Sequence, residues 1–483
     1  MYDQPTKQVA KCQRILLLSF VSVLLFILTA GRFESHERAK AAWSPQGTVF
    51  YIAPTGDDSN EGTAAHPWRT IQKAANTLLA GDTVYIRAGT YNERVVPQNS
   101  GSAGNTITYA VYPGETATID GSGITLPDDL AGLFDISNKS YIRVAGLHVI
   151  NAGPYDNNAA ILVLNSGYIV VENNHTDYTI SSGIGVWASD HITVAGNTIE
   201  RACIRIWQEC LSVAETTWFE VKNNAVSNCH EEGICVKDNS AHGKVYGNLV
   251  HHVQAVGIYV DSWNRHTHDI EVFQNVVHDN ENDGFALASE EGGTLESIYI
   301  YNNIGYHNKY NALNISINGT APHHPISDVQ VINNTFYDNG WAGGVGGILV
   351  DNPEAQNVIV RNNIVSQNLY FQILTTPGVP TQSVTIDYNL IDGYRGNVNE
   401  GETRGSSYVE GDPLFVNTSG ADYHLRENSP AIDAGSAVSA PSDDFDGRPR
   451  PLDGNGDHTA VYDIGAYESP FYSEHVYLPL VLR

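Results

Sequence analysis

A short pattern recurs nine times between Val171 and Ile391: an aliphatic residue, two variable positions, then Asn. The copies are Val171-Glu-Asn-Asn174, Val194-Ala-Gly-Asn197, Val221-Lys-Asn-Asn224, Val245-Tyr-Gly-Asn248, Val272-Phe-Gln-Asn275, Ile300-Tyr-Asn-Asn303, Val331-Ile-Asn-Asn334, Val360-Arg-Asn-Asn363 and Ile386-Asp-Tyr-Asn389. Successive asparagines lie 23, 27, 24, 27, 28, 31, 29 and 26 residues apart. A motif repeating at that period marks a solenoid, in which each unit buries its apolar face only against its neighbours. A second motif keeps step: Gly183-Ile-Gly-Val186, Gly233-Ile-Cys-Val236, Gly257-Ile-Tyr-Val260, Gly284-Phe-Ala-Leu287 and Gly347-Ile-Leu-Val350. Weaker copies stand at Cys210-Leu-Ser-Val213 and Ala312-Leu-Asn-Ile315.

Each period holds short β-branched runs of alternating polarity separated by Gly, Asn, Asp and Ser, so it reads as strands joined by turns, with no room for an ordinary helix. Stacked in register, such coils form parallel sheets along a long axis, and each corner Asn falls beneath its counterpart, able to bond above and below. Alternation sends Ile234, Val236, Ile258 and Val260 inward and Cys235, Lys237, Tyr259 and Asp261 outward. The expected fold is all-β, a single-stranded right-handed parallel β-helix. The repeat pattern resembles the pectate-lyase-like superfamily of β-helix proteins over about two thirds of the chain. That resemblance is specific for fold and says little about reaction, since one scaffold hosts many.

The ends follow. Residues 1–42 read as a secretory signal peptide: Lys7, Lys11 and Arg14 precede an apolar run from Ile15 to Ala30, and Ala39-Lys40-Ala41 offers a cleavage site. The alternative is an uncleaved membrane anchor, for which the run is short. Residues 43–82 read as an N-terminal cap: Ile71, Ala74, Ala75, Leu78 and Leu79 recur at helical spacing before Gly81. Coils are expected over 83–395. Residues 396–469 form a C-terminal module, in which Asn428-Ser-Pro-Ala-Ile-Asp-Ala-Gly435 and Asp463-Ile-Gly-Ala-Tyr-Glu468 resemble a module that follows such β-helices in exported bacterial proteins. A short tail, 470–483, closes the chain.

With 54 acidic against 26 basic residues, the formal charge is −28, which argues against nucleic acid or an anionic membrane as partner. The expected partner is an extracellular polysaccharide, and the expected state is a secreted monomer with an option of cell-surface association. Outside the leader, four cysteines fall in neighbouring coils. In an exported chain they are disulfide candidates, Cys203 with Cys229 and Cys210 with Cys235, with a zinc site or free thiols as alternatives.

Aligning the Gly-Ile motifs places Trp187, Ala214, Lys237, Asp261, Ala288 and Ser316 in one outward column. Coils stack about 4.8 Å apart, so column members are neighbours. Three readings follow. In a polysaccharide lyase, Lys237 abstracts the proton alpha to a uronate carboxyl, and Ca²⁺ on Asp238, Asp261, Asp283, Glu290 and Glu291 neutralises that carboxylate. Some β-helix lyase families combine a lysine or arginine base with acidic calcium ligands, and the resemblance implies that arrangement by residue type. In a retaining glycoside hydrolase, Asp261 is nucleophile and Glu290 acid/base. The segment Gly257-Ile-Tyr-Val-Asp-Ser-Trp263 is similar to the nucleophile segment of a β-helix xylosidase family. The third reading is a non-catalytic binding or surface protein. Trp187, Tyr259 and Trp263 are the candidate sugar platforms, with Arg265 beside them. A further Ca²⁺ candidate is the Gly-rich acidic loop with Asp453, Asn455 and Asp457.

Overall fold

The computed structural model describes residues 47–205, 208–396 and 400–470. The leader assigned to 1–42 and nearly all of the tail assigned to 470–483 lie outside the described residues. The chain is a parallel β-solenoid with three long sheets. The first has 13 strands, from Val49–Ile52 to Val384–Asp387. The second, also of 13, runs from Gly89–Tyr91 to Val409–Glu410, and the third, of 10, from Gly132–Ser137 to Ile373–Thr375. Parallel pairing therefore begins at Val49–Ile52, inside the stretch read as a cap, and continues past 395 to Val409–Glu410.

The apolar alternation explains the interior. Ile234, Val236, Ile258 and Val260 belong to one continuous buried core running from Ile52 to Ile391. Helix α1 (Ile71–Thr77) is capped by Thr70, whose hydroxyl accepts the Lys73 N–H at 3.1 Å. It buries Ile71, Ala74 and Ala75 against the same core. No helix among the described residues is long and apolar enough to cross a membrane.

The asparagine ladder forms as the spacing predicts. The Asn174 side-chain amide and backbone N–H both donate to Asn197 Oδ1, at 3.1 and 2.9 Å, and the amide also reaches the Val144 carbonyl. The scheme repeats through Asn224, Asn248, Asn275, Asn303, Asn334 and Asn363 to Asn389. The residue before each ladder Asn is left-handed: φ is 54° at Asn173, 65° at Gly196 and 65° at Gly247. That corner explains why the motif's third position is so often Gly or Asn. A second ladder, Asn280–Asn308–Asn339–Asn368, runs along another corner; it has no motif as strict as the first and was not expected from sequence.

After Glu410 the chain folds back on the outer face of the second sheet. Phe415, Tyr423, Leu425, Ala431, Ile464 and Ala466 pack on Ile304, Ile364 and Leu390. Side-chain amides of the left-handed corner residues Asn302, Asn333 and Asn362 donate to the Asp443, Asp463 and Ser436 carbonyls at 2.7, 2.9 and 2.7 Å.

The disulfide expectation is corrected. All four cysteines are free and buried. Cys210 lies in the core between Cys203 and Cys229, with which its thiol interacts. Cys235 sits on the opposite, outward face of its strand, against Asp261. Alternation within Ile234–Lys237 puts it there, so it has no geometry for pairing with Cys210.

Candidate functional site

The third sheet's outer face carries the candidate residues. Trp187 pairs with Ala214, and Ala214 with Lys237. Cys235 pairs with Tyr259, which places Asp261 on the rung after Lys237; Asp261 then pairs with Ala288, and Ala288 with Ser316. The outward column is therefore as the motif alignment predicts.

What covers the column is not. Tyr259 and Asp261 are only 6% and 5% exposed, because chain around Glu290 and Asn318 closes over them. The Tyr259 hydroxyl contacts Glu290 Oε1, which also accepts the Asn318 amide at 3.1 Å. The coils bearing these residues have ladder spacings of 28 and 31, against 23 to 27 in the coils before them, and the extra residues go into that cover.

Lys237 Nζ lies 2.5 Å from Glu209 Oε1. Burial alone would lower its pKa, but Glu209, then Cys235 and Asp261, outweigh that and push it well up. The amine is held as an ammonium. Asp261 is pushed well above the carboxylate range by burial, an effect opposed by Lys237 and reinforced by Glu290, Glu209 and Asp238. Glu232, one coil after Glu209, is pushed up to about 8 by burial and then by Glu209. Two buried carboxylate oxygens here, Glu209 Oε2 and Asp261 Oδ1, have no hydrogen-bond partner among the described residues. A cleft of about 270 Å³ opens above Lys237 and Asp238, walled by Trp187, Gln208 and Glu215.

The other named residues fall out differently. Trp187 is no exposed platform: it is 8% exposed, packs on Ala159 and Leu162, and donates its indole N–H to Ser212 Oγ at 3.0 Å. The ring lies over Gly185 of the same strand, where a Cβ would stand 2.9 Å from the indole. Tyr259 is likewise buried, whereas Trp263 is 48% exposed. Arg265 is engaged by Glu215 at 2.5 Å. Asp283 stands apart from Lys237's group. It accepts the Asn311 backbone and side-chain N–H groups at 2.7 and 2.9 Å and the Asn314 amide at 3.1 Å, and burial pushes it to about 6. Asp238 accepts the Trp263 N–H at 3.2 Å, and Glu291 accepts Thr320. The five acidic residues named as a calcium set are therefore spread along the wall. In the C-terminal loop, Asp453, Asn455 and Asp457 spend side-chain oxygens on their own loop, accepting N–H groups of Gly456, Asp457 and Thr459 at 2.7, 2.9 and 2.8 Å.

Glu209 is the residue missed from sequence. It stands just before Cys210-Leu-Ser-Val213, as Glu232 and Asp283 stand just before their motifs. The signal was present, but this motif copy lacks its glycine.

Comparison with known proteins agrees with the architecture. Residues 50–203 match a family model described as "Pel9A-like, right handed beta helix region", and residues 209–401 match "Right handed beta helix region". The chain is 26% identical over 469 residues to protein YwoF of Bacillus subtilis (strain 168), covering 84% of this chain and 98% of that one. It is 34% identical to pectate lyase PEL9 of Emericella nidulans over 117 residues, covering 22% of this chain and 28% of that one. Among solved structures, pectate lyase Pel9A superposes with a TM-score of 0.54 at 16% identity, over 88% of this chain and 96% of that one. XylC in complex with xylose gives 0.55 at 13%, over 88% and 99%. The A-module of the Azotobacter vinelandii mannuronan C-5 epimerase AlgE6 gives 0.51 at 12%, over 71% and 93%. At these identities the likeness is one of fold.

Proposed function

Because the chain is a right-handed parallel β-helix protein with a pectate-lyase-like fold, we propose that it is an exported, polysaccharide-active enzyme that cleaves uronate-containing glycans by β-elimination. In this reading α1 closes one end of the solenoid, and the segment after Glu410 is an accessory module. The observation that carries the reading is the group Glu209–Lys237–Asp261, a lysine paired to one buried carboxylate and one rung from a second, each with one oxygen unpartnered among the described residues. Folding gains nothing from such oxygens, whose desolvation costs about 1–3 kcal/mol each. They suit a hard cation, which takes several oxygen ligands. Calcium held by Glu209 and Asp261 would take up the charge that keeps Lys237 protonated and would neutralise the substrate carboxylate.

The chain's own part follows from the geometry. The glycan lies in the cleft above Lys237 and Asp238, with the exposed Trp263 as the sugar-facing aromatic. Lys237, once its carboxylate partners are neutralised, removes the proton alpha to the uronate carboxyl. Without that neutralisation Glu209 and Asp261 keep the amine charged, so activity depends on what occupies their free oxygens.

One observation favours a hydrolase as the second reading. Burial raises the Asp261 carboxyl well above the usual range while Glu290 is bonded to Tyr259 and Asn318, so two carboxyls sit in different environments. Asp261 would then be the acid rather than the nucleophile. The test is incubation with polyuronates and with neutral glycans, with and without a chelator. Unsaturated, ultraviolet-absorbing ends that vanish with chelator support the lyase. New reducing ends without absorbance move the assignment to the hydrolase, and no product across the panel leaves only a binding role.

A further inference from the structure

A different wall of the solenoid carries a second constellation, of nitrogen as well as oxygen donors. On the first sheet, Ala241 pairs with His268 and Gly243 with Ile270, so His242 and Asp269 occupy equivalent places on adjacent coils. Both are left-handed, with φ of 53° and 54°. That conformation breaks the strict alternation of a strand, so neighbours His268 and Asp269 reach the same side. His242 Nδ1 and His268 Nδ1 converge on one carboxylate oxygen, Asp269 Oδ2, at 3.2 and 2.9 Å. One donor atom from each of the three residues lies within 4.8 Å of the other two.

We propose that His242, His268 and Asp269 bind a divalent transition-metal ion of the zinc or copper class at the solenoid surface. Two imidazoles and a carboxylate are a donor set that such ions take and that calcium does not prefer. The surroundings suit a cation: Glu271 and Glu296 lie alongside, Lys244 is paired with Glu271 at 3.0 Å, and His266 with Glu296 at 2.9 Å. The three side chains are 38%, 30% and 48% exposed, and His242 and Asp269 line a groove of about 490 Å³ that also meets Trp218 and His191. An ion held there keeps coordination positions open toward the groove for water. The shared oxygen gives the reason for the geometry: the ion replaces the protons that the two imidazoles otherwise offer to Asp269.

A similar trio on the second sheet supplies the contrast. His148, His175 and Asp177 also cluster, but both oxygens of Asp177 are taken by the Arg201 guanidinium, at 2.8 and 2.6 Å. A fixed cation already fills that position, so this trio is the internal control.

The experiment is calorimetric titration of the untagged, chelator-stripped full chain with Zn²⁺ in excess Ca²⁺. One saturable site is expected, weakened at least about tenfold by His242→Ala and by Asp269→Asn and unchanged by His175→Ala. Thermal melts check that the exposed His242→Ala variant is folded. With Cu²⁺ as probe, electron paramagnetic resonance is expected to show two coordinating nitrogens in the parent and one in His242→Ala. No saturable zinc binding, zinc binding that survives His242→Ala, or loss with His175→Ala would each overturn the assignment.

Discussion

Replacing Asn303 with Ala tests whether the ladder carries the solenoid's stability. Asn303 is fully buried. Its Oδ1 accepts the Asn275 backbone N–H and side-chain amide, both at 3.0 Å. Its own amide donates to the Val272 carbonyl at 2.8 Å and to Asn334 Oδ1 at 3.0 Å. Truncation orphans the Asn275 N–H and one Asn275 amide hydrogen and takes a donor from the Val272 and Tyr301 carbonyls, while Asn334 Oδ1 keeps the Asn303 backbone N–H at 2.9 Å. Each orphaned buried group costs about 1–3 kcal/mol, and water entering the small void recovers part of it. The expected loss is about 3–5 kcal/mol. Guanidinium unfolding followed by far-ultraviolet circular dichroism measures it as a midpoint shift at constant slope. The exposed Asn357, left-handed with φ of 51° and bonded to Asp328, is the control, and its Gly variant, which keeps that backbone, should change stability by no more than about 0.5 kcal/mol. A loss below about 1 kcal/mol for Asn303→Ala would refute the view that the ladder, rather than aliphatic packing alone, holds the coils together.

Lys237→Met removes the cation beside Glu209 and Asp261. It should cost about 2–4 kcal/mol near neutral pH, less in acid where the carboxyls take up protons, and should abolish any eliminase activity. Glu232, raised from 4.5 to about 8 in the folded chain, favours folding in its protonated form. Its contribution is full below about pH 4.5 and is lost as pH rises toward about 8, so Glu232→Gln should flatten stability across that window by at most about 5 kcal/mol, at about 1.4 kcal/mol per unit. The Arg450–Glu468 pair, at 2.7 Å, has side chains with no solvent exposure. Arg450→Met leaves a buried carboxylate alone and should cost about 3–5 kcal/mol. Limited proteolysis should then cut first beyond Glu410, sparing the coils.

The fold was legible because its determinants are periodic. Each ladder Asn sits at a fixed offset from an inward aliphatic residue, and the Gly-Ile motif fixes register, so the Trp187–Lys237–Asp261 column follows from counting. The site was less legible because its chemistry depends on segments that do not repeat. Glu209 lies before a degenerate motif, and Glu290 and Asn318 lie in insertions of unequal length. The nature of Lys237 changed with them: a lysine on an open face is free, whereas one against Glu209 is held charged.

The sequence by itself determined the solenoid, its corners and which side chains leave its interior, because strand alternation and coil stacking are local rules applied many times over. Only the tertiary structure decided which outward residues stay in water. It folded irregular chain over Tyr259 and Asp261, laid Trp187 flat against its neighbours, and put Cys210 and Cys235 on opposite faces of the wall. Those outcomes depend on contacts between segments of different length, and no periodic rule encodes them.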